Sequence, residues 1–357
     1  MALLAIDRPR VIIAHSWIQT NLGDILMALE LARFVTHAFP HVDVYSAVNG
    51  PAQAVRMEHL AHRYRVPLAG VLAETRTPDL AIGSTAFLST GGDFLTGQWA
   101  ITDQIIAQMQ RAREAGIPTA LCFQTIGPYD DLSTLRTLAT LPDLIIARET
   151  ATVDALASVG RTDDVTLASD LAFLLPPATA TPHASAGHLG VNFRGYLQTF
   201  DIDRVETFAD AAGRLIRGYS TDVEMDRGVL EELAARGHAT EPGGYDYREL
   251  AQIIAGNDAL TLTDRYHGLA YSLLAAVPCV SVVSYGNPLV GSYKARGLVE
   301  LSGLDLPVLD SLDEKPGEAI ERARSISRRS LVKATESLRA LALEGLETLR
   351  AFLESAM

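Results

Sequence analysis

Short apolar runs alternate with segments of helical periodicity along most of this chain. Runs with the length and composition of buried strands occupy residues 11–14, 42–45, 119–123, 144–147, 165–167, 189–194, 258–262 and 280–283. The segments between them carry apolar residues three and four positions apart, as amphipathic helices do. This alternation of strand and helix predicts α/β units built on parallel sheets.

The alternation is interrupted at residues 177–188, which are rich in proline and small residues and have no periodicity. Such a composition is typical of a linker. The sequence therefore predicts two Rossmann-like domains facing a cleft, at residues 1–176 and 189–315. Residues 316–357 are predicted to form C-terminal helices, for which packing back on the N-terminal domain is one arrangement.

Several local assignments depend on weaker signals. Residues 80–82 are predicted as a strand that leads into a glycine-containing turn at 89–93 and then into a helix. Residues 208–215 are predicted as a helix, and residues 239–240 as a short strand. Residues 246–257 are predicted as the helix that precedes the strand at 258–262.

Composition limits the classes of partner. The 357 residues carry a formal net charge of −13, so the chain lacks the basic surplus that nucleic acids or anionic membranes require. It contains no run of about eighteen apolar residues, which predicts a cytoplasmic protein without a transmembrane segment, at most peripheral to the inner membrane face. Cys122 and Cys279 lie in apolar runs and are predicted as core residues, and no Cys/His cluster indicates a metal site. The oligomeric state stays open.

The apolar run 258–262 ends at Thr263, and a helical pattern begins a few residues later, with Arg265 and His267 at the junction. Backbone N–H groups at a helix start are unpaired and the helix dipole is positive there, so an anion would find hydrogen-bond donors. The arginine adds a permanent cation and the histidine a titratable acid. The alternative is structural, with Arg265 paired to Asp264 and His267 as a surface or capping residue.

Polar residues and glycines follow most of the other predicted strands. Since the carboxyl ends of parallel strands meet at one edge of a sheet, we expect these loops to border a ligand crevice. The residues concerned are Asn21, Gly23, Asp24, Gly91, Gly92, Asp93, Gln124, Arg148, Asn192 and Arg194. The structural alternatives are a helix cap for Asn21 or Asp24, turn chemistry for the glycines, and an ion pair with Glu149 or another carboxylate for Arg148.

The ordered set of these motifs resembles the polysaccharide pyruvyl transferase family. The motifs are residues 21–24, Gly91-Gly92, 124–128, Arg148-Glu149, 169–173, 192–194 and 265–268. The resemblance implies a glycosyltransferase-B-like fold and an enzyme that needs no cofactor. It implies transfer of the enolpyruvyl unit of phosphoenolpyruvate onto two hydroxyls of a sugar, glycan or small diol-bearing acceptor, with formation of a cyclic ketal and release of phosphate. The N-terminal domain would then be the acceptor side.

The resemblance also implies roles for particular residues. Arg148, Arg265 and His267 match positions that bind the donor's phosphate and carboxylate, and Tyr266 and Gly268 complete the same motif. His267 is also the candidate acid. The chemistry agrees, because the planar fork of arginine binds phosphate and carboxylate bidentately, and imidazolium is a suitable proton donor near neutral pH.

Two carboxylates, Asp24 and Asp93, are candidates for accepting the proton of the acceptor hydroxyl.

One position departs from the family's pattern. Many members carry a lysine in a Tyr-x-x-Lys-like turn after the strand that corresponds to 280–283, whereas residues 285–288 here are Tyr-Gly-Asn-Pro. Lys294, one or two helical turns later, is the candidate replacement in the donor site.

Two other functions stay open. A nucleotide-sugar-dependent glycosyltransferase of GT-B architecture usually needs an acidic residue one or two helical turns after the His-Gly pair, to hold the donor ribose. Residues 271–276 contain no acidic residue. A degenerate, non-catalytic relative is the other alternative, and the missing lysine favours it.

Overall fold

Residue contacts divide the chain into two units. The computed structural model describes residues 8–15, 20–73, 77–96, 101–129, 132–179, 187–194, 200–241, 246–283 and 288–357, without the side chains of 288–290. Unit 1 comprises Met1–Gln19, Asp24–Leu171 and Leu343–Met357, and unit 2 comprises Thr20–Gly23 and Ala172–Ala342.

Unit 1 is organised around a parallel β-sheet. Its strands are β1 (Arg10–Ala14), β2 (Asp43–Ala47), β3 (Gly70–Leu72), β4 (Ala86–Ser89), β5 (Gly92–Leu95), β6 (Thr119–Ile126), β7 (Leu144–Ala147) and β8 (Val165–Leu167). The helices of this part of the chain are α1 (Leu22–Ala38), α2 (Pro51–Tyr64), α3 (Thr102–Glu114), α4 (Leu132–Thr140) and α5 (Thr150–Ser158). Within the described residues the strand order is β3-β2-β1-β4-β6-β7-β8, and β5 also pairs with β6.

Unit 2 contains a second parallel sheet. Its strands are β9 (His188–Asn192), β10 (Leu215–Gly218), β11 (Ala239–Thr240), β12 (Asp258–Thr263), β13 (Cys279–Val282) and β14 (Val308–Leu309). The helices that alternate with these strands or follow them are α6 (Ile202–Ala212), α7 (Arg227–Ala235), α8 (Leu250–Asn257), α9 (Tyr266–Leu274), α10 (Pro288–Ser302), α11 (Pro316–Ser325) and α12 (Arg328–Ala356). The strand order over the described ranges is β11-β10-β9-β12-β13-β14.

The central strands are buried on both faces, as in parallel sheets covered by helices. Every residue of β4, β6, β7 and β13 is buried. Phe87 and Leu121 belong to the hydrophobic core of unit 1, and Val191 and Leu260 to that of unit 2. Each unit therefore has its own core, and the apolar runs of the sequence supply it.

Each sheet has a position from which the chain connections run in opposite directions, and ligand crevices form at such positions. This position lies between β1 and β4 in unit 1, and between β9 and β12 in unit 2. The register pairs Ala14 with Ser89 in the first case and Asn192 with Thr263 in the second. In unit 2 the loops that carry Arg194 and Arg265 follow directly.

The strand predicted at 80–82 and the turn predicted at 89–93 are wrong in detail. Residues 80–82 are not a strand, because Pro78–Ala81 forms a 3₁₀ helix. The side chain of Thr77 accepts the N–H of Asp79, and the proline at the first position favours this turn. The strand is β4 instead, and Gly92 begins β5 where the sequence predicted a turn.

The helix predicted at 208–215 is also wrong in extent. Helix α6 ends at Ala212, because Gly213 adopts a left-handed conformation with φ of 61° that ends the helix. Leu215 then begins β10. The short strand predicted at 239–240 is confirmed as β11.

The segment predicted as a linker is only partly among the described residues. Residues 180–186 lie outside them, and His188 already begins β9. The backbone N–H of Ala178 donates to the Leu274 carbonyl oxygen, and that of Thr179 donates to the Gln252 side chain. Helix α12 is divided between the units: its residues from Leu343 onward belong to unit 1, and its preceding part belongs to unit 2.

The two cysteines are confirmed as core residues, since both are buried free thiols. Burial raises the pKa of Cys279 to about 11, so this residue carries little thiolate at neutral pH. In the part of the chain that the structure describes, no helix is long and apolar enough to cross a membrane.

A buried histidine lies at the end of β1. His15 hydrogen bonds through Nδ1 to the Ser89 hydroxyl at 2.7 Å and through Nε2 to the Gln108 side chain at 2.8 Å. Burial lowers the pKa of His15 from 6.5 to about 4, although the hydrogen bond with Gln108 opposes the shift. The imidazole is therefore neutral in the folded protein at pH 7.

This shift predicts acid sensitivity. Because the unfolded chain protonates His15 near pH 6.5 and the folded chain only near pH 4, its contribution to stability is complete above pH 6.5 and is lost as pH falls towards 4. The loss amounts to about 3 kcal/mol. We expect the difference in free energy of unfolding between the wild type and His15→Gln to shrink over this range, as measured by urea denaturation. A difference that stays constant with pH would contradict the assignment.

Candidate anion-binding site

The junction between β12 and α9 is closed by Thr263. Its hydroxyl donates to the Asn192 carbonyl oxygen at 2.8 Å and accepts the N–H of Arg265 at 3.0 Å. A Cβ on Gly268 would lie 2.3 Å from the Thr263 hydroxyl oxygen and 2.8 Å from the Asn192 side-chain oxygen. Glycine is therefore required where the first turn of α9 packs against the ends of β9 and β12.

Arg265 is a buried cation at this junction. Arg265 is 5% exposed, and its Nη2 pairs with Asp226. Burial opposes the charge of Arg265, but Asp226, Asp264 and Asp222 outweigh that effect and raise its pKa, so the guanidinium is permanently charged. Its Nε has no hydrogen-bond acceptor among the described residues. A buried, charged group thus keeps one donor that the described residues leave unsatisfied.

Arg194 follows β9 and lies near Asp264, one of the carboxylates that act on Arg265. Its backbone N–H donates to Asp264 Oδ1 at 3.0 Å. Burial raises the pKa of Asp264, whereas the charges of Arg194 and Arg265 oppose the rise. Arg194 is 9% exposed, and its Nε likewise has no acceptor within the described ranges. Two guanidinium groups therefore flank Asp264.

His267 lies in the first turn of α9. It is 8% exposed, and its ring meets that of Tyr266 edge to face, with centroids 5.3 Å apart. Gly23 packs directly on the imidazole, since a Cβ there would lie 1.9 Å from His267 Nδ1. The N–H of Gly23 donates to the Asn21 side chain at 2.9 Å.

The segment that carries Asn21 and Gly23 is held by the loop after β10. The N–H of Leu22 donates to the Thr221 carbonyl oxygen at 2.7 Å, and Asn21 forms an antiparallel bridge with Asp222. This pairing fixes the position of Gly23 against His267.

Unit 2 thus brings together eight of the residues that the sequence singled out. They are Asn21, Gly23, Asn192, Arg194, Arg265, Tyr266, His267 and Gly268. Lys294 lies in α10 and is 4% exposed. The Tyr-Gly-Asn-Pro turn that departs from the family's pattern begins in 284–287, outside the described residues.

Arg148 belongs to unit 1, where carboxylates surround it. Its side chain is 2% exposed; Nη1 donates to Asp170 and Nε to the Thr125 hydroxyl, both at 2.8 Å. Nε also lies 3.6 Å from Glu149, whose carboxylate accepts the hydroxyls of Thr125 and Thr152. These are the contacts of the structural alternative, and the donor-binding role of Arg148 stays a prediction.

Most of the other predicted loop residues of unit 1 lie in β6 or next to it. Gln124 donates through Nε2 to the Ser89 hydroxyl at 3.1 Å, and its carbonyl oxygen accepts the N–H of Arg148. A Cβ on Gly91 would lie 2.4 Å from the Phe123 carbonyl oxygen, so Gly91 permits a close approach to β6. Gly92 and Asp93 lie in β5, and Asp24 lies in the first turn of α1. Both aspartates are half-buried.

Sequence reasoning missed Asp226, the carboxylate that pairs with Arg265. It directly precedes α7, a helix that the sequence analysis did not assign. The available signal was an aspartate before a run with apolar residues at Val229, Leu230 and Leu233, which is a helix-start pattern. Among the described residues, no group of three or more His, Cys, Asp or Glu side chains is arranged so that it could hold a metal ion.

The fold places the protein in a broad class. Its structure resembles a UDP-N-acetylglucosamine 2-epimerase from Rickettsia bellii, with a TM-score of 0.65, 10% identity, and 98% of each chain covered. It also resembles the UDP-GlcNAc 2-epimerase from Neisseria meningitidis bound to UDP-GlcNAc, with a TM-score of 0.63 and 9% identity. This match covers 97% of the present chain and 99% of the epimerase chain. A third similar structure is a UDP-glucose: anthocyanidin 3-O-glucosyltransferase in complex with UDP, with a TM-score of 0.57 and 10% identity. The match covers 98% of this chain and 99% of that chain. The chain therefore has a glycosyltransferase-B-like fold.

The family follows from the sequence. The family model described as polysaccharide pyruvyl transferase matches residues 21–287. Since this match spans most of the 357 residues, the chain belongs to the polysaccharide pyruvyl transferase family. No curated protein matches the chain significantly.

The contact between Gly23 and His267 predicts the effect of a single methyl group. Gly23→Ala forces a Cβ against the imidazole, so we expect the ring to move, at a cost of about 1 to 3 kcal/mol. Imidazole NMR signals of His267 should shift while the far-UV circular dichroism is retained. Gly256→Ala is the matched control, because a Cβ there meets no atom within 4 Å. Unchanged His267 signals in Gly23→Ala would refute the contact.

Proposed function

We propose that this protein transfers the enolpyruvyl unit of phosphoenolpyruvate onto two hydroxyls of an acceptor, forming a cyclic pyruvate ketal and releasing phosphate. The observation that carries the proposal is the junction at Arg265 and His267, in a chain that belongs to the pyruvyl transferase family. There a buried guanidinium keeps one donor for which the described residues supply no acceptor, two positions before a histidine at a helix start. No cofactor is required.

The donor is a small, highly charged anion, and the junction suits it. The first turn of α9 supplies backbone N–H groups and a positive dipole end. Arg265 supplies a charged donor, and Arg194 places a second guanidinium beside Asp264. We assign phosphate or carboxylate binding to Arg265, together with Tyr266, His267 and Gly268. Arg148 and Lys294 are further proposed ligands that binding experiments must test.

The reaction needs an acid first. His267 as imidazolium donates its proton to the methylene carbon of phosphoenolpyruvate, which becomes a methyl group and leaves an oxocarbenium-like centre. One acceptor hydroxyl attacks the oxocarbenium-like carbon, which is the carbon that bears the phosphate ester. The bond between this carbon and the phosphate oxygen then breaks. The second hydroxyl then closes the ketal. Of the two hydroxyl protons, one restores His267 and the other leaves with phosphate.

The acceptor side is assigned to polar residues of the strand-end loops. The acceptor is a sugar, glycan or small diol. Its proposed contacts in unit 2 are Asn21, Asn192 and Arg194, beside Gly23. The residues proposed for this role in unit 1 are Gln124, Gly91 and Gly92. Asp24 or Asp93 is the proposed base for a hydroxyl proton, which it holds only until the proton passes to phosphate, since both are half-buried carboxylates. Such an enzyme works in polysaccharide biosynthesis, in the cytoplasm or peripheral to the inner membrane face.

A nucleotide-sugar glycosyltransferase is the second candidate, because solved structures of this fold contain UDP or UDP-GlcNAc. Helix α9 argues against it. Its residues after His267 are Gly, Leu, Ala, Tyr, Ser, Leu and Leu, without a carboxylate for a donor ribose.

Phosphate release separates the candidates. Purified protein is incubated with phosphoenolpyruvate and diol-bearing sugars, and in parallel with UDP-sugars and the same acceptors. We expect acceptor-dependent phosphate release in the first series and no UDP release in the second. UDP release would support the glycosyltransferase. No release in either series, with no thermal shift from phosphoenolpyruvate, would leave the non-catalytic relative.

The proposed roles predict different losses in two variants. His267→Ala should keep part of its phosphoenolpyruvate binding and lose about 10² to 10⁴ in turnover, because only the acid is removed. Arg265→Ala should mainly weaken donor binding. Calorimetric titration with phosphoenolpyruvate and single-turnover phosphate release measure the two effects separately. Wild-type turnover in His267→Ala would show that another group is the acid.

A further inference from the structure

Asp226 has an unusual environment for a residue that precedes a helix. An aspartate at this position normally accepts N–H groups of the first helical turn, but Asp226 makes no such capping bond with α7. One carboxylate oxygen, Oδ2, instead accepts four donors. They are Asn192 Nδ2 at 3.1 Å, Ser220 Oγ at 3.2 Å, the Thr221 N–H at 3.0 Å and the Asp222 N–H at 3.1 Å.

The other oxygen, Oδ1, pairs with Arg265 Nη2. The two oxygens therefore have separate roles: Oδ2 fixes the carboxylate to the ends of β9 and β10, and Oδ1 holds the guanidinium. Asp226 is 1% exposed, so solvent does not compete for these bonds. With Nη2 held in this way, the direction of Arg265 Nε is determined.

A second buried pair in the same unit shows the contrast. Arg217 donates to Asp258 through Nε at 2.9 Å and through Nη2 at 2.6 Å. The carboxylate of Asp258 therefore occupies the Nε of Arg217, whereas the Nε of Arg265 has no acceptor among the described residues. Asp258 begins β12, and Arg265 follows the other end of that strand. A six-residue strand spans roughly 20 Å, so the two pairs are well separated.

We propose that Asp226 is a positioning residue for donor binding: it orients Arg265 so that its Nε faces the anion. This inference rests on the proposed function, because the anion is taken to be phosphoenolpyruvate. Asp226 itself does not touch the substrate. Its effect on binding passes through Arg265 alone.

Asp226→Asn separates the two roles of the carboxylate. The amide oxygen can keep the four donors at the Oδ2 position, which leaves the NH₂ group facing Arg265. Two donors then face each other, and Arg265 loses its acceptor. We expect the KM for phosphoenolpyruvate to rise roughly tenfold to a hundredfold, the range of a lost charge-assisted hydrogen bond, with a smaller change in kcat.

The experiment is a double-mutant cycle with Asp226→Asn, Arg265→Ala and the double variant. If Asp226 acts through Arg265, the double variant raises KM no further than Arg265→Ala does. Multiplicative effects of the two substitutions would overturn the inference. Asp258→Asn is the matched control, since it breaks the other buried pair. This variant should have a lower unfolding temperature, and the fraction of it that folds should have an unchanged KM for phosphoenolpyruvate.

A second measurement keeps this inference distinct from the proposed function. The Nε–Hε NMR signal of Arg265, assigned by its loss in Arg265→Lys, reports the pair without any substrate. We expect Asp226→Asn to shift it strongly and Asp226→Glu, which keeps the charge, to shift it less. An unmoved signal would overturn the positioning role. A shifted signal in a protein that releases no phosphate from phosphoenolpyruvate would instead contradict the proposed function.

Discussion

Pairing of buried guanidinium groups with carboxylates is the constraint on which this structure depends. A buried charge without a partner is strongly unfavourable, and breaking a buried pair costs about 3 to 5 kcal/mol. Asp226 pairs with Arg265, Asp258 with Arg217, and in unit 1 the partner of Arg148 is Asp170. Each pair joins residues that are more than twenty positions apart, so each also fixes how the strands and loops around it pack.

The pairs differ in what they leave for a ligand. Arg148 directs Nε and Nη1 to protein acceptors and is almost inaccessible, so its contacts are those of a structural residue. Arg265 directs Nη2 to Asp226 and keeps Nε without an acceptor in the described ranges. The second pattern, next to His267 and a helix start, is the one that an anion-binding site requires. The position of the sheet's reversal, between β9 and β12, explains why this site forms there.

Local patterns were enough to predict the fold class and the Arg265-Tyr266-His267 junction, because strand ends and helix starts are encoded by adjacent residues. Contacts over long sequence distances were not predictable in this way. Asp226 lies 39 positions from Arg265, and nothing in either segment reports the pairing. Strand β4 was missed because its Ser89 and the following threonine and glycines resemble a turn, although burial within the sheet makes it a strand. The burial of Arg148 was not predictable either, because it depends on pairing with Asp170, which lies 22 positions away and beyond α5.

The central claim is that the β12–α9 junction binds the donor through Arg265 beside His267. A crystal structure of the protein with phosphoenolpyruvate tests it most directly. We expect a phosphate or carboxylate oxygen within hydrogen-bond distance of Arg265 Nε, and a ring nitrogen of His267 facing the methylene carbon. Phosphoenolpyruvate bound elsewhere, with Arg265 Nε and His267 both out of contact with it, would contradict the account.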